Sequence, residues 1–333
     1  MTLMPNQPVP PAVRAFMAGI VDYAGLFPPA KLPLETAISK YAGYRQQPDA
    51  WMLGRFVIPA SRLDELAPFS RLFEDDPPFR FSVLGPASPH IEAGLAGVDT
   101  VIQQVKAFLE AYPGLVDVDM MELRLPDDVS ELNAASFQRY YVDVRDRLTA
   151  ASFKTVETFF ELPLIPKASP ALPLAVEGMA DYNSVFTPDS PFRVGLKLRT
   201  GGVTADAFPS IDTVAEAIRL CQEHGVRFKA TAGLHHPIRQ FHDSVDTEMH
   251  GFLNLFGGAI LVHAGALDAH ELPALLADEQ AGHFKLNGES LQWEAGLSAS
   301  PEAIASARDA LACSFGSCSF DEPREDLRAL GIL

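Results

Sequence analysis

Cysteine is scarce in this sequence, and its hydrophobic runs are short. The three cysteines, Cys221, Cys313 and Cys318, are too few for a disulfide framework and cannot all be paired within the chain, which indicates a reduced setting. No apolar run approaches the roughly 20 residues of a membrane-spanning helix. Residues 1–8 lack the basic and apolar segments of a secretory signal. We therefore expect a cytoplasmic protein that does not bind a membrane.

Positive charge is also in deficit. The 333 residues include 26 Lys and Arg residues against 43 Asp and Glu residues, which gives a formal net charge of −17. Binding to a phosphate backbone requires a basic surface, so nucleic acid is not expected as a partner. The hydrophobic fraction of 47% and the charged fraction of 21% are typical of a soluble globular protein.

Several signature motifs are missing as well. No Gly-x-Gly-x-x-Gly follows the first predicted strand, which disfavours a dinucleotide-binding fold. Neither His-Glu-x-x-His nor Cys-x-x-Cys occurs, so no motif indicates a bound metal. On this basis no cofactor is expected.

The sequence does contain a regular alternation of short apolar runs with longer amphipathic segments. This alternation predicts parallel strands joined by right-handed helical crossovers. About eight such units in roughly 300 residues favour an α/β fold of the (β/α)8 TIM-barrel type over an open sheet. We expect one barrel domain over residues 1–333, with a C-terminal tail at about 312–333 packing on it. The predicted strands are 19–23, 54–59, 80–84, 117–125, 155–162, 193–199, 227–231 and, as the eighth, 283–287.

The predicted helices lie between these strands. Their apolar residues recur three and four positions apart, as one face of a helix requires. The last of them has Ser300 as its expected N-cap and Pro301 as its first residue. The predicted helices are 32–45, 91–111, 135–151, 211–224, 248–262 and 301–311.

Charged side chains occupy one face of four successive predicted strands. Side chains alternate between the two faces of a strand, and active sites of such barrels lie at the carboxyl ends of the strands. Because ionisable groups with shifted pKa values gather at active sites, these residues favour one functional pocket over unrelated structural ion pairs. The residues on this face are Glu122 and Arg124, Glu161, Lys197 and Arg199, and Lys229 and Thr231.

Two of these residues are lysines within apolar strands. Burying a lysine is costly unless the ammonium group is paired. Two amines that share a pocket lower each other's pKa, which leaves one neutral amine near pH 7. A neutral amine can attack a carbonyl group, so the pair Lys197 and Lys229 predicts carbonyl chemistry through a Schiff base.

The region around these lysines, residues 194–239, resembles class I deoxyribose-phosphate aldolases. In that family a lysine precedes a Thr-Gly turn, and the next strand carries Lys-Ala-Ser-Gly-Gly-Ile-Arg. Here residues 197–201 read Lys-Leu-Arg-Thr-Gly, and residues 229–234 read Lys-Ala-Thr-Ala-Gly-Leu. The resemblance implies an aldolase-type lyase in which Lys197 forms the Schiff base and Lys229 lowers its pKa. By the same likeness, Glu122 or Glu161 would shuttle protons through a water molecule.

The sequence departs from this family where the family binds phosphate. Its Gly-Gly pair is Ala-Gly here, at 232–233, and residues 286–290 lack its second Gly/Ser-rich phosphate loop. These differences, together with the negative net charge, disfavour a phosphorylated substrate. Arg124 or Arg199 would hold an anionic part of the substrate, because a guanidinium group suits a carboxylate.

Further candidates follow the strands. Asp22 ends the first strand before a double-proline turn that would wall the pocket. Of the adjacent His235 and His236, one would enter the pocket for proton transfer or hydrogen bonding. Cys318 would lie near the substrate if residues 314–323 fold over the mouth. The predicted substrate-binding residues are Arg124, Arg199, Thr200, Thr231, His235, His236 and Asp22.

Three functions are consistent with these patterns. The favoured interpretation is an aldolase-like lyase that acts on a small carbonyl compound. A metal-dependent lyase or hydrolase would instead use His235, His236 and a carboxylate. A barrel that only binds a small anion is the non-catalytic alternative. Many barrels self-associate, so a homo-oligomer is compatible with the sequence.

Overall fold

Eight parallel strands close into a barrel, in which each strand pairs with its neighbour along the chain and the last pairs with the first. A computed structural model describes residues 9–74, 76–128, 132–153, 156–162, 170–187, 190–294 and 296–333. Parallel pairing requires crossover connections, and helices supply them here. The predicted (β/α)8 barrel is confirmed. The strands in this part of the chain are β1 (Val21–Tyr23), β2 (Leu53–Pro59), β3 (Phe79–Leu84), β4 (Val116–Arg124), β5 (Glu157–Leu162), β6 (Val194–Arg199), β7 (Phe228–Thr231), β8 (Gln240–His242), β9 (Thr247–Met249), β10 (Phe284–Leu286), β11 (Leu291–Trp293), β12 (Leu297–Ala299) and β13 (Ala312–Ser317).

Helices connect the barrel strands. Two of them have the bounds that the sequence predicts, while α1, α5, α8 and α10 have no counterpart among the predicted helices. Within the described ranges, no helix is both long and apolar enough to cross a bilayer. The helices are α1 (Pro11–Met17), α2 (Leu34–Arg45), α3 (Ile91–Ala111), α4 (Ala134–Ala150), α5 (Ala171–Asn183), α6 (Ile211–His224), α7 (Phe252–His263), α8 (Leu272–Ala277), α9 (Pro301–Ala310) and α10 (Asp321–Ala329).

The eighth barrel strand is β13, and the predicted eighth strand at 283–287 is wrong. β10 lies at that position, but it pairs antiparallel with β11 in a separate sheet. β13 is buried along its whole length between β7 and β1. Its sequence, Ala-Cys-Ser-Phe-Gly-Ser, lacks polar–apolar alternation and branched residues, so it carries little strand signal. The segment expected to be a C-terminal tail therefore contains the last strand and helix of the barrel.

Alternation along the strands separates an apolar layer under the helices from a charged interior. Leu196 of β6 and Phe228 of β7 belong to the main hydrophobic core. Lys197 and Lys229 follow them on the opposite face and are register partners on these adjacent strands. The charged side chains that the sequence predicts to point inward therefore lie next to one another inside the barrel.

The N-cap of α9 gives a test of this local structure. Ser300 Oγ accepts a hydrogen bond from the Ala303 amide, and Pro301 is the first helical residue, as the sequence predicts. Ser300→Ala should lower the free energy of unfolding by about 1 kcal/mol, because an amide at the helix start loses its acceptor. Ser298→Ala, at an exposed position of β12, should change it by less than about 0.5 kcal/mol. Equal effects of the two variants in urea denaturation would contradict the cap.

Candidate active site

The charged residues that face the barrel interior form one continuous ion-pair network. Lys197 Nζ lies 2.8 Å from Glu122 Oε2 and 2.7 Å from Glu161 Oε2. Lys229 Nζ contacts the other oxygen of Glu122, Oε1, and lies 2.9 Å from Asp22 Oδ2. One carboxylate therefore bridges the two lysines, and β1, β4, β5, β6 and β7 all contribute to the network.

Hydroxyl and amide groups complete the hydrogen bonding of the buried carboxylates. Ser82 Oγ donates to Glu122 Oε1 over 2.5 Å, and Ser314 Oγ donates to Asp22 Oδ2 over 2.7 Å. The Arg55 amide donates to Asp22 Oδ1 over 2.9 Å. Buried ions are tolerated when they are paired and hydrogen-bonded, so these contacts support the charged forms. Ser82, Ser314 and Arg55 are not among the site residues that the sequence predicts. The signal for Ser82 is a lone hydroxyl in a buried apolar run.

The network keeps Lys197 protonated in the absence of substrate. Burial lowers the pKa of Lys197, but the ion pairs with Glu122 and Glu161 raise it more, so the net pKa lies above its ordinary value. Burial raises the pKa of both carboxyl groups, and the neighbouring cations bring the net values below the ordinary range. The expectation that Lys229 makes Lys197 a neutral amine is therefore not met, because the Glu122 carboxylate lies between the two ammonium groups.

Lys197 lines a chamber of about 270 Å³ at the carboxyl ends of the barrel strands. Lys229 and Asp22 are fully buried and are not among the described lining residues. Asp22 is thus a partner of Lys229 rather than the substrate contact that we expected. The loop after β1 walls the chamber, as predicted. Its lining residues in that loop are Ala24, Phe27, Pro28 and Pro29.

Only one of the two candidate arginines faces this chamber. Arg199 lines it, with 47% of its side chain exposed and Nη1 3.4 Å from Glu161 Oε1. Arg124 Nη2 instead pairs with Asp127 Oδ1 over 2.8 Å. Arg124 is not among the chamber residues of the described chain, so its expected role as a substrate ligand is not supported.

The Thr-Gly and Ala-Gly pairs after β6 and β7 serve loop packing. Thr200 is fully buried, and its hydroxyl donates to the Ala232 carbonyl over 2.6 Å, so it is not the substrate contact that we expected. Thr231 does line the chamber. Gly233 has a φ of +73°, and a Cβ there would lie 3.0 Å from Gly201 Cα. Glycine at these positions allows the two loops to approach closely beside the chamber.

His235 lines the chamber, whereas His236 is not among its described residues. His235 Nδ1 lies 2.9 Å from Glu322 Oε2 and 3.9 Å from Cys318 Sγ. Burial lowers the pKa of His235, but Cys318 and Glu322 raise it to a net value of about 9. The imidazole is therefore protonated at neutral pH. His236 pairs with Asp326 on α10 over 2.7 Å.

A second chamber, of about 640 Å³, opens beside the first. It is lined in part by acidic residues of α10, and no Lys or Arg belongs to its lining in the described part of the chain. This charge distribution disfavours a bound phosphate, in agreement with the departures from the aldolase phosphate motif. The residues that line both chambers are Pro29, Gly202, Val203, His235 and Cys318.

The candidate metal ligands do not converge on the chambers. Among the residues that the structure describes, the group with ligand atoms close enough to hold an ion consists of Asp278, His283 and Glu294. Asp278 Oδ2 already accepts hydrogen bonds from Trp293 Nε1 and His283 Nδ1, over 2.8 and 2.7 Å. A metal centre at His235 and His236 is not supported by this geometry.

Comparison with known proteins adds little about chemistry. No protein-family model matches the sequence, and no curated protein matches it either. The chain is similar to the tetrameric deoxyribose phosphate aldolase from Aeropyrum pernix, with 14% identity and a TM-score of 0.48 over 95% of this chain and 93% of that chain. It is also similar to the catalytic domain of a hyperthermophilic chitinase from Pyrococcus furiosus, with 10% identity and a TM-score of 0.32 over 72% and 91%. At these values the barrel assignment rests on the strand pairing, and any function rests on the residues of this chain.

The His235–Glu322 pair predicts a pH-dependent contribution to stability. A pKa raised from 6.5 to about 9 stabilises the fold fully below pH 6.5, and this contribution is lost as the pH rises through 9. The free energy of unfolding of His235→Gln should therefore fall below that of the native protein by on the order of 2–3 kcal/mol at pH 6 and much less at pH 9.5. Urea denaturation at both values measures the difference. His270→Gln, at an exposed position, is the control. A deficit of equal size at pH 6 and pH 9.5 would contradict the assignment.

Proposed function

We propose that this protein is an aldolase-type lyase that forms a Schiff base between Lys197 and a small carbonyl substrate. The observation that carries the proposal is the position of the Lys197 amine. It lines a 270 Å³ chamber at the carboxyl ends of the strands, and a carboxylate oxygen lies within hydrogen-bond distance on either side of it. An amine placed in this way can both attack a carbonyl carbon and exchange its protons.

The first step is the transfer of a proton from the Lys197 ammonium group to a carboxylate. Glu161 is the better acceptor, because its second cation, Arg199, is partly exposed and lies 3.4 Å away, whereas Glu122 is buried between two lysines. The neutral amine then adds to the carbonyl carbon, and the oxygen leaves as water after protonation. The resulting iminium group draws electrons from the adjacent C–C bond, which is the bond that an aldolase breaks or forms.

Lys229 acts through Glu122 rather than directly on Lys197. Its ammonium group is buried and contacts the Glu122 oxygen that Lys197 does not use. Two cations on one carboxylate keep Glu122 ionised, and burial fixes its orientation. Glu122 therefore supports the charge of the iminium group on Lys197, while Glu161 moves protons.

The second chamber, of about 640 Å³, supplies room for the second reactant and is called the outer chamber below. The chamber of about 270 Å³ at Lys197 is called the inner chamber. The two chambers share five lining residues, so a molecule bound in the outer one can reach the carbonyl carbon held at Lys197. Protonated His235 lines both chambers, where it can donate a hydrogen bond to the oxygen of the second carbonyl compound.

Reductive trapping tests the nucleophile. Incubation with acetaldehyde, acetone or pyruvate and borohydride should add the mass of one substrate molecule less one oxygen atom, and peptide mapping should place the adduct on Lys197. Lys197→Met should abolish the adduct. Lys285→Met removes an exposed lysine of β10 and should leave the adduct unchanged. If none of these carbonyl compounds labels Lys197 at any pH between 6 and 10, the Schiff-base mechanism is wrong.

The role of Glu161 is tested by the pH profile of imine formation. Its carboxylate raises the pKa of Lys197, so Glu161→Gln should move the midpoint of the profile to lower pH. Loss of the proton acceptor should also reduce the maximal rate about 100-fold or more. Glu110→Gln, on the exposed face of α3, serves as the control for both quantities. A midpoint that stays in place or rises in Glu161→Gln would remove this residue from the mechanism.

A further inference from the structure

Arg199 and Lys197 are placed to bind two adjacent groups of one small molecule. They lie two positions apart on β6, and both line the inner chamber. The carboxylate of Glu161 spans the space between them, with Oε2 at 2.7 Å from Lys197 Nζ and Oε1 at 3.4 Å from Arg199 Nη1. A single carboxylate therefore contacts the amine with one oxygen and the guanidinium group with the other.

The guanidinium group retains unused binding capacity. Arginine has five N–H donors in a planar fork, and the described contacts of this side chain include one long bond to Glu161. Nearly half of the Arg199 side chain is exposed, and this side chain lines a chamber whose other lining residues are largely apolar or already paired. A carboxylate ligand would form two parallel hydrogen bonds with such a fork.

We propose that the carbonyl donor of this enzyme is a 2-oxo acid, whose carboxylate binds Arg199 while Lys197 attacks its C2 carbon. In a 2-oxo acid the carbonyl carbon is bonded directly to the carboxylate. The molecule therefore fits between the Lys197 amine and the Arg199 guanidinium group, which Glu161 bridges when no substrate is bound. A plain aldehyde or ketone would react with the amine and leave Arg199 with its long bond to Glu161. This inference rests on the proposed Schiff-base function and assigns its substrate class.

Binding of the carboxylate would also prepare the proton acceptor. The substrate competes with Glu161 for Arg199, and Arg199 is one of the groups that lower the pKa of Glu161. When the guanidinium group turns to the substrate, Glu161 becomes more basic and accepts a proton from Lys197 more readily. Carbonyl compounds without a carboxylate do not release Glu161 in this way.

The reaction balances without a redox partner or cofactor. Imine formation releases one water molecule, and removal of a proton from C3 gives an enamine. The enamine carbon then bonds to the carbon of an aldehyde in the outer chamber, and the aldehyde oxygen takes up the proton. Addition of water to the imine restores Lys197 and releases a 4-hydroxy-2-oxo acid, and the cleavage direction runs through the same steps in reverse.

A pair of matched ketones tests the substrate class. Pyruvate and acetone differ in the replacement of a methyl group by a carboxylate, and borohydride trapping with mass spectrometry gives the concentration at which half of Lys197 is labelled. We expect this concentration to be roughly 10- to 100-fold lower for pyruvate than for acetone, because the pyruvate carboxylate forms a charge-assisted bidentate contact with Arg199. Arg199→Gln should raise the value for pyruvate by the same factor and change the value for acetone far less, so that the preference for pyruvate is lost.

Two further variants separate recognition from folding. Arg199→Lys keeps the charge without the fork and should restore part of the preference for pyruvate. Arg124→Gln removes the arginine that pairs with Asp127 away from the chamber, and it should retain the full preference. Equal labelling by both ketones, or an equal effect of Arg199→Gln on both, would overturn the 2-oxo acid assignment while leaving the Schiff base intact. Absence of labelling by every ketone and aldehyde would overturn both proposals.

Discussion

The structure of the barrel interior depends on one carboxylate, that of Glu122, which bridges two buried lysines. Its two oxygens contact Lys197 and Lys229, and each lysine has a second carboxylate partner, Glu161 or Asp22. Anions and cations alternate along this path, so each charge buried in the barrel has a counter-charge beside it. Without that alternation two ammonium groups on adjacent strands would repel each other and lose their hydration, and neither would be tolerated.

The same alternation determines where chemistry is possible. Lys229 and Asp22 lie below the chamber and are shielded from substrate, whereas Lys197 and Glu161 border it. The deep pair therefore fixes the orientation and charge of Glu122. In the proposed mechanism the deep residues maintain the electrostatics and the residues at the chamber exchange protons, which is the arrangement that a preorganised site requires.

The packed loops and the acidic residues at the mouth of the barrel limit the size and charge of a molecule that fits the chambers. The turns after β6 and β7 each contain a glycine and lie close to each other. Thr231 and His235 line the chamber beside these turns. The acidic start of α10 borders the outer chamber, and Cys318 together with Glu322 of this helix raises the pKa of His235. In the proposed reaction Arg199 of the inner chamber binds the anionic group, which must be small enough to share the space with Lys197.

The sequence by itself determined the barrel, seven of its strands and the inward position of Glu122, Glu161, Lys197 and Lys229. Strand periodicity is a local property, because side chains alternate with a period of two whatever the neighbours are. The eighth strand escaped detection because its small residues include no β-branched side chain and do not alternate in polarity. Only the tertiary structure decided that Glu122 lies between the lysines and raises the pKa of Lys197, and that Arg199 rather than Arg124 reaches the chamber. Those outcomes depend on distances between residues far apart in the chain, which a linear pattern does not encode.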